Sequence, residues 1–224
     1  YNSAAVLYQG VILACYRKQA LPNYGVFDEQ RYFTAGIQPC VFEFNGIFIG
    51  LTICEDVWKN GIIEANKEAG AELLLTLNAS PFNAGKIHQR EAIICQQVKA
   101  ASIPLFYVNQ IGGQDELIFD GASFVANSQG HIVFRAKEFQ EQISVIEFDG
   151  NNPLLSSCAP LYKEISSEYN ALVLGIKDYV RKNGFKGAIL GLSGGIDSSL
   201  VLAIAVDALG AENVEAVSLP SKYT

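Results

Sequence analysis

The sequence predicts an α/β protein that closes on the first βαβ part of a doubly wound parallel sheet. Three observations carry this. Short aliphatic runs at 47–53, 72–77 and 104–109 alternate with helical stretches, which reads as β-α-β-α-β. A second strand, glycine turn and helix follow at 187–192, 193–196 and 197–209, and 214–219 completes a βαβ unit. Between the two lies 149–165, rich in Asn, Pro and Ser without periodicity, which has the composition of an interdomain linker. The expected organisation is a first domain over 1–148, a linker over 149–165 and the start of a second domain over 166–224.

Taken in order, the chain opens on a hairpin, 4–8 and 11–15 around Gln9-Gly10. A second hairpin, 40–44 and 47–53, flanks Asn45-Gly46, the strongest short hairpin signal. A helix over 62–69 ends at Gly70, and 72–77 follows as a buried strand. The helix over 86–101 leads to the strand 104–109. Strands at 122–126 and 132–136, turned by Asn127-Ser128-Gln129-Gly130, and a last one at 143–148 complete the first domain. Ser166 or Ser167 then caps a helix whose apolar face is Leu172, Val173, Ile176 and Val180, closing at Asn183-Gly184. A hairpin with nothing before it and a sheet that stops after one βαβ unit lead us to expect a piece of a longer polypeptide, short at both ends.

Composition narrows the function classes. Half of the residues are hydrophobic, enough to bury a core. A net charge of −7 with 17% charged residues argues against a nucleic-acid surface and for small-molecule partners. No apolar run has the length of a membrane span. Five cysteines at irregular spacing, without CxxC, point to reduced thiols in the cytoplasm and to neither a disulfide framework nor a zinc site.

The stretch GLSGGIDSS at 191–199 lies between the aliphatic strand and the apolar helix. Adjacent glycines let a ligand approach the backbone closely, and the amide N–H groups at the helix start converge where a phosphate can sit. Ser193, Ser198 and Ser199 add hydroxyl donors around Gly194 and Gly195, and Asp197 can hold a magnesium ion bridging phosphates. No Lys follows the glycines and GxGxxG spacing is absent, so the loop is neither a Walker A nor a dinucleotide turn. SGGIDSS resembles the pyrophosphate loop of the ATP pyrophosphatase family, which implies cleavage of ATP between its α and β phosphates.

A second constellation centres on Cys54, which leaves the strand 47–53 beside Glu55, Asp56 and Trp58. Strand ends project side chains into clefts while the sheet holds them rigid. Free cysteines are more often buried and inert, so position alone does not make this one a nucleophile. A lysine at the end of a hairpin strand, as Lys18 is, can lower a thiol's pKa and stabilise an oxyanion, although taken alone a lysine on a surface loop is the commoner case. Together these segments resemble the nitrilase superfamily, whose amidases use a Glu-Lys-Cys triad in an αββα sandwich. In fuller form KQALPNYGVFDEQRYF, GLTICEDVW, LNASPF, YVNQIGGQDELIFDG and GLSGGIDSS, in that order, resemble the glutamine-dependent NAD⁺ synthetase family.

That resemblance implies a nitrilase-type glutaminase fused to an ATP pyrophosphatase-type synthetase. It makes Cys54 the nucleophile and Lys18 the triad lysine, with the oxyanion held by Lys18 and the backbone N–H of Glu55. Tyr24, Glu55, Trp58 and Ser80 are candidates to grip glutamine, and Arg90 a weaker one to meet its carboxylate. ATP would lie on Ser193, Gly194, Gly195, Asp197, Ser198 and Ser199, with Mg²⁺ on Asp197 and Leu219-Pro220-Ser221 beside the adenine. Glutamine, deamido-NAD⁺ and ATP are the implied substrates, and a homo-oligomer the implied assembly. Gly112 to Glu116 match a family loop, although a turn explains their glycines equally. One departure stands out: the family's general base is a Glu upstream of the lysine, and positions 1–17 hold no Asp or Glu. The base lies in preceding sequence, or Glu43 or Glu55 substitutes, or glutaminase activity is lost; we expect the first. The alternatives to this function are another amidotransferase of the ATP pyrophosphatase class and a non-catalytic relative.

Overall fold

The structure is a computed structural model and describes residues 1–218. Strands β3 (Val41–Phe44), β4 (Ile47–Ile53), β5 (Leu73–Asn78), β6 (Leu105–Asn109), β9 (Phe124–Ala126) and β10 (Ile132–Arg135) form one sheet in the order β10-β9-β6-β5-β4-β3. β4, β5 and β6 are parallel and in register, with Ile53 opposite Leu77 and Asn78 opposite Asn109, and the remaining pairs are antiparallel. Asn45 and Gly46 both take positive φ, as the tight turn between β3 and β4 requires.

Strand periodicity sorts the side chains into two cores. Leu74 of β5 and Leu105 and Tyr107 of β6 meet the helices α2 (Ile62–Glu68) and α3 (Lys86–Ala101) through Ile63, Ile94 and Val98. On the opposite face Leu73, Leu51 and Ile49 meet Tyr16, carried by the hairpin of β1 (Ser3–Tyr8) and β2 (Val11–Arg17). On that face Leu77 and Val108 are exposed. The layers are therefore helices, sheet and hairpin, which positions the carboxyl ends of β4, β5 and β6 beside the end of β2.

The second unit is built on the parallel pair β13 (Ala188–Leu192) and β14 (Val214–Ser218) with α5 (Ile196–Leu209) crossing between them. Helix α4 (Glu164–Lys182) packs Val173, Ile176 and Val180 on Ala208 and Leu209 of α5. Its other side lies on the hairpin of β7 (Ile111–Gln114) and β8 (Leu117–Asp120). There the Gly113 N–H donates to Asp178 Oδ2 at 2.8 Å, and Lys182 Nζ donates to the Gly113 carbonyl at 2.6 Å. A Cβ on Gly113 would come within 3.3 Å of the Gly175 backbone, so the glycine allows this close approach. None of the helices among the described residues is long and apolar enough to cross a membrane.

Several expectations are corrected. Residues 143–148 do not form a strand; only β11 (Phe148–Asp149) pairs, with β12 (Asn152–Pro153), and Ile143 and Val145 lie exposed. The edge of β10 is taken instead by the expected linker: Ser156 N–H donates to Val133 at 2.8 Å and Ala159 N–H to Arg135 at 3.0 Å. Helix α4 starts at Glu164 after Lys163, without a side-chain cap. Ser167 lies inside it, and its hydroxyl donates to the buried Glu138 carboxylate at 2.7 Å. Leu172 is half exposed, whereas the other three residues of the expected apolar face pack on the second unit. The segment Leu219-Pro220-Ser221 lies outside the described residues.

Gly50 offers a test of the packing beneath β4. A Cβ there would stand 2.7 Å from Leu74 Cδ2, 2.8 Å from Asn66 Oδ1 and 3.1 Å from Ala71 Cβ, all buried. Overpacking of this kind costs about 1–3 kcal/mol, so Gly50→Ala is expected to lower the urea midpoint of unfolding correspondingly, with the slope unchanged. An unaltered midpoint would show that the core yields at no cost.

Candidate active site

The parallel register brings the ends of three strands to one edge, and Cys54 is the first residue past β4. Its φ is +47°, in the left-handed region that a non-glycine residue adopts only where the surroundings enforce it. The chain reverses there into a 3-10 turn over Cys54–Trp58. Four donors on the Asp56 carboxylate enforce the geometry. Oδ2 accepts the Ile53 N–H at 2.8 Å and the Tyr16 hydroxyl at 2.7 Å, while Oδ1 accepts the Gln19 and Ala20 N–H groups at 3.1 and 2.8 Å. The turn carrying Cys54 is thus tied to the segment carrying Lys18.

Cys54 and Lys18 line one cavity of about 500 Å³, with Glu29, Asn78 and Ala79. Lys18 is 1% exposed, and its ammonium donates to Glu29 Oε1 at 2.6 Å. Burial pushes the Cys54 thiol above the ordinary range; the Lys18 charge is the largest opposing influence, and Lys86 and the Ala79 backbone N–H act in the same sense as Lys18. A thiol that burial alone would make inert is therefore held beside two cations and an N–H donor.

Glu55 follows Cys54 and is itself buried. Its Oε2 accepts the Tyr24 hydroxyl at 2.8 Å, and Oε1 lies 3.5 Å from the Lys59 ammonium. The Tyr24 hydroxyl is pushed up to about 12, by burial first and then by Glu55. Ser80 sits on the loop after β5, buried, with its N–H donating to Asn109 Oδ1 at 3.0 Å. The structure thus brings Cys54 and Lys18 into one cavity, while Tyr24, Glu55 and Ser80 stand near the same strand ends but outside the residues that line it. Trp58 stands apart, packed against the core on the helical face.

Three further side chains bear on the site. Glu29, the partner of Lys18, opens the short helix α1 (Glu29–Tyr32) at the end of the KQALPNYGVFDE string but carries no mark of its own. Lys86 likewise carries no sequence signal; its half-buried ammonium donates to the Pro81 carbonyl at 3.2 Å, with burial and then the nearby Arg90 charge lowering its pKa. Arg90 is not free to meet a substrate. Both its terminal nitrogens bond Asp120, at 3.2 and 2.9 Å, and the pair is buried. Asp120 also accepts from Asn109 at 3.2 Å, so this ion pair supports the loop carrying Ser80. Glu43 lies exposed on β3, outside the residues lining the cavity.

The second candidate site is the loop before α5. Gly194 has φ +85°, with open space where a Cβ would stand, and Gly195 caps the helix in an extended conformation. Ser193 Oγ and Ser198 Oγ lie 3.2 Å apart, and the Ser198 and Ser199 hydroxyls donate to the Gly195 carbonyl at 3.1 and 2.9 Å. Asp197 stands in the first helical turn, and the loop is largely exposed. Among the described residues no cluster of three or more His, Cys, Asp and Glu side chains is placed to hold a metal.

Comparison with known proteins yields two family matches: carbon-nitrogen hydrolase over residues 1–152 and NAD synthase over 168–224. A glutamine-dependent NAD(+) synthetase from Acinetobacter baylyi is 47% identical over the whole of this chain, which spans 42% of that relative's length. Among solved structures, glutamine-dependent NAD⁺ synthetase from Acinetobacter baumannii in complex with ADP matches with a TM-score of 0.96 at 46% identity, covering all of this chain and 43% of that one. A carbon-nitrogen hydrolase from Helicobacter pylori G27 matches with a TM-score of 0.56 at 29% identity, over 62% of this chain and 54% of its own. The fold is that of the nitrilase superfamily, followed by part of an NAD synthase domain.

The buried Arg90–Asp120 pair generates a prediction. Arg90→Leu leaves the Asp120 carboxylate buried and short of its charged partner, a loss of about 3–5 kcal/mol. A fall in thermal midpoint is expected, together with weaker protection of the loop at 78–82 in hydrogen exchange. Full stability in this variant would mean that water or another donor replaces the guanidinium.

Proposed function

Because the chain belongs to the carbon-nitrogen hydrolase family, we propose that Cys54 is the nucleophile of a glutaminase and that the ammonia it releases serves an ATP-dependent amidation on the second unit. The observation that carries this is the shared cavity of Cys54, Lys18 and Glu29, followed in one chain by the GLSGGIDSS loop. On this reading the thiolate attacks the side-chain amide of glutamine to form a thioester. Lys18 and the Glu55 N–H steady the oxyanion, ammonia leaves, and water releases glutamate. Glu29 holds the Lys18 ammonium in place. The general base that the resemblance asks for upstream of Lys18 has no candidate in residues 1–17. Tyr24, Glu55 and Ser80 grip the substrate, Trp58 backs the turn that carries Cys54, and Lys86 replaces Arg90 as the cation for the glutamine carboxylate.

The acceptor we propose is deamido-NAD⁺, whose carboxylate is adenylated by ATP and then takes ammonia, giving NAD⁺, AMP and pyrophosphate. The relatives' names support this acceptor. The backbone of Gly194 and Gly195 and the hydroxyls of Ser193, Ser198 and Ser199 fit a phosphate chain, since the loop is exposed and stands at a helix start. Asp197 supplies a single carboxylate in the first turn of the helix, which would hold a magnesium ion brought with the nucleotide. When bound, that ion neutralises charge on the triphosphate. A cytoplasmic homo-oligomer is part of the same proposal.

The test is to supply the full-length parent with ATP, magnesium and deamido-NAD⁺ plus either glutamine or ammonium, and to follow NAD⁺ by mass spectrometry. Synthesis from both nitrogen sources is expected. Cys54→Ala should abolish the glutamine-dependent route and spare the ammonium-dependent one; equal loss of both would count against two separable sites. Asp197→Ala should remove ATP turnover while glutamine hydrolysis persists, and unchanged ATP consumption would exclude the magnesium role.

A further inference from the structure

The turn that presents Cys54 and the segment that presents Lys18 are distant in sequence, yet a single carboxylate is bonded to both. Asp56 is 0% exposed and lies outside the residues lining the cavity. Its donors are Tyr16, two residues before Lys18; Gln19 and Ala20, the two residues after it; and Ile53, immediately before Cys54. We propose that Asp56 is a positioning residue: by bonding both segments it fixes where the Lys18 ammonium stands relative to the Cys54 thiol, and so sets how reactive that thiol is. The inference rests on Cys54 being the nucleophile proposed above.

The chemistry asks for a carboxylate. Each oxygen accepts two hydrogens, and only an ionised acid offers two acceptor oxygens of this capacity. An asparagine keeps one. If its oxygen stays with Gln19 and Ala20, its NH₂ faces Tyr16, whose hydroxyl can turn to accept, and Ile53, whose N–H cannot. The turn entering Cys54 then loses its tie, and the left-handed φ of Cys54 loses part of what enforces it.

The sign of the effect separates positioning from direct electrostatics. The charged groups acting on the thiol are Lys18, Glu55 and Lys86, with Glu29 paired to Lys18. Removing a negative charge near a thiol favours the thiolate, so a through-space effect of Asp56→Asn would move the alkylation midpoint down. Displacing Lys18 from the thiol moves it up.

The experiment follows alkylation of Cys54 by iodoacetamide across the neutral to alkaline range in the full-length parent, with the labelled residue located by mass spectrometry. It compares the unsubstituted protein with Asp56→Asn and Tyr16→Phe, alongside thermal unfolding and kcat and KM for glutamine. Asp56→Asn is expected to raise the midpoint by about one unit, a loss of about tenfold in rate at neutral pH, and to lower kcat more than it raises KM. Tyr16→Phe, which removes one of the four bonds, should shift the midpoint the same way by less. A profile unchanged or moved down, with only the thermal midpoint lowered, overturns the proposal and leaves Asp56 a structural residue. Should Asp56→Asn fail to fold, Tyr16→Phe decides, and no upward shift overturns the proposal. Alkylation of Cys54 in the unsubstituted protein no faster than that of exposed Cys15 and Cys158 overturns the nucleophile reading and this inference with it.

Discussion

The in-register parallel pairing of β4, β5 and β6 is the constraint on which the site depends. The strands start staggered but end level, with Ile53 opposite Leu77 and Asn78 opposite Asn109, so Cys54, the loop after Asn78 and Asn109 arrive at one edge of the sheet without any local signal directing them there. The support beneath is polar. Asn109 holds the Ser80 N–H, Asp120 holds Asn109, and Arg90 neutralises Asp120. A buried ion pair contributes little net stability against an apolar alternative, yet it fixes geometry, which is what a loop carrying a candidate substrate contact needs.

Cys54 illustrates how local strain and long-range bonding are matched. A left-handed φ costs of order 1–3 kcal/mol at a non-glycine residue, and a strand that simply ended in solvent would relax it. Here the following turn is anchored from inside by Asp56, and the β1–β2 hairpin caps the same region through Tyr16. The hairpin therefore does two things at once: it buries the outer face of β4 and β5, and it delivers Lys18 into the cavity.

Much of this was legible in the residues. The Asn-Gly hairpin, the strand leading into Cys54, the helix 86–101 and the strand-turn-helix at GLSGGIDSS each depend on signals within a few residues, and the structure matches them closely. What failed depended on distant partners. Residues 143–148 have strand-like composition, but the neighbouring edge of β10 is occupied by 156–159. The glycines of 111–120 read as a turn because nothing nearby reveals that they flatten a hairpin against α4. Arg90 has the right charge for a substrate carboxylate, and only the fold shows that Asp120 has engaged it. Glu29 and Lys86 give no signal for the same reason: acidic and basic residues are common, and their placement near Lys18 and Cys54 is a property of the assembled edge.

Helix α4 belongs to both halves of the molecule. One side completes the core around α5, while the other carries the bonds to Gly113, and Ser167 and the nearby Tyr162 N–H secure its start to Glu138. A connection of this kind differs from beads on a string. A gene fragment ending before α4 strips the second unit of a core helix, and one beginning at α4 exposes the surface that met the β7–β8 hairpin. Placing either half beside a new neighbour would demand a compatible helix face on both sides, so a substitution on α4 is felt in both halves.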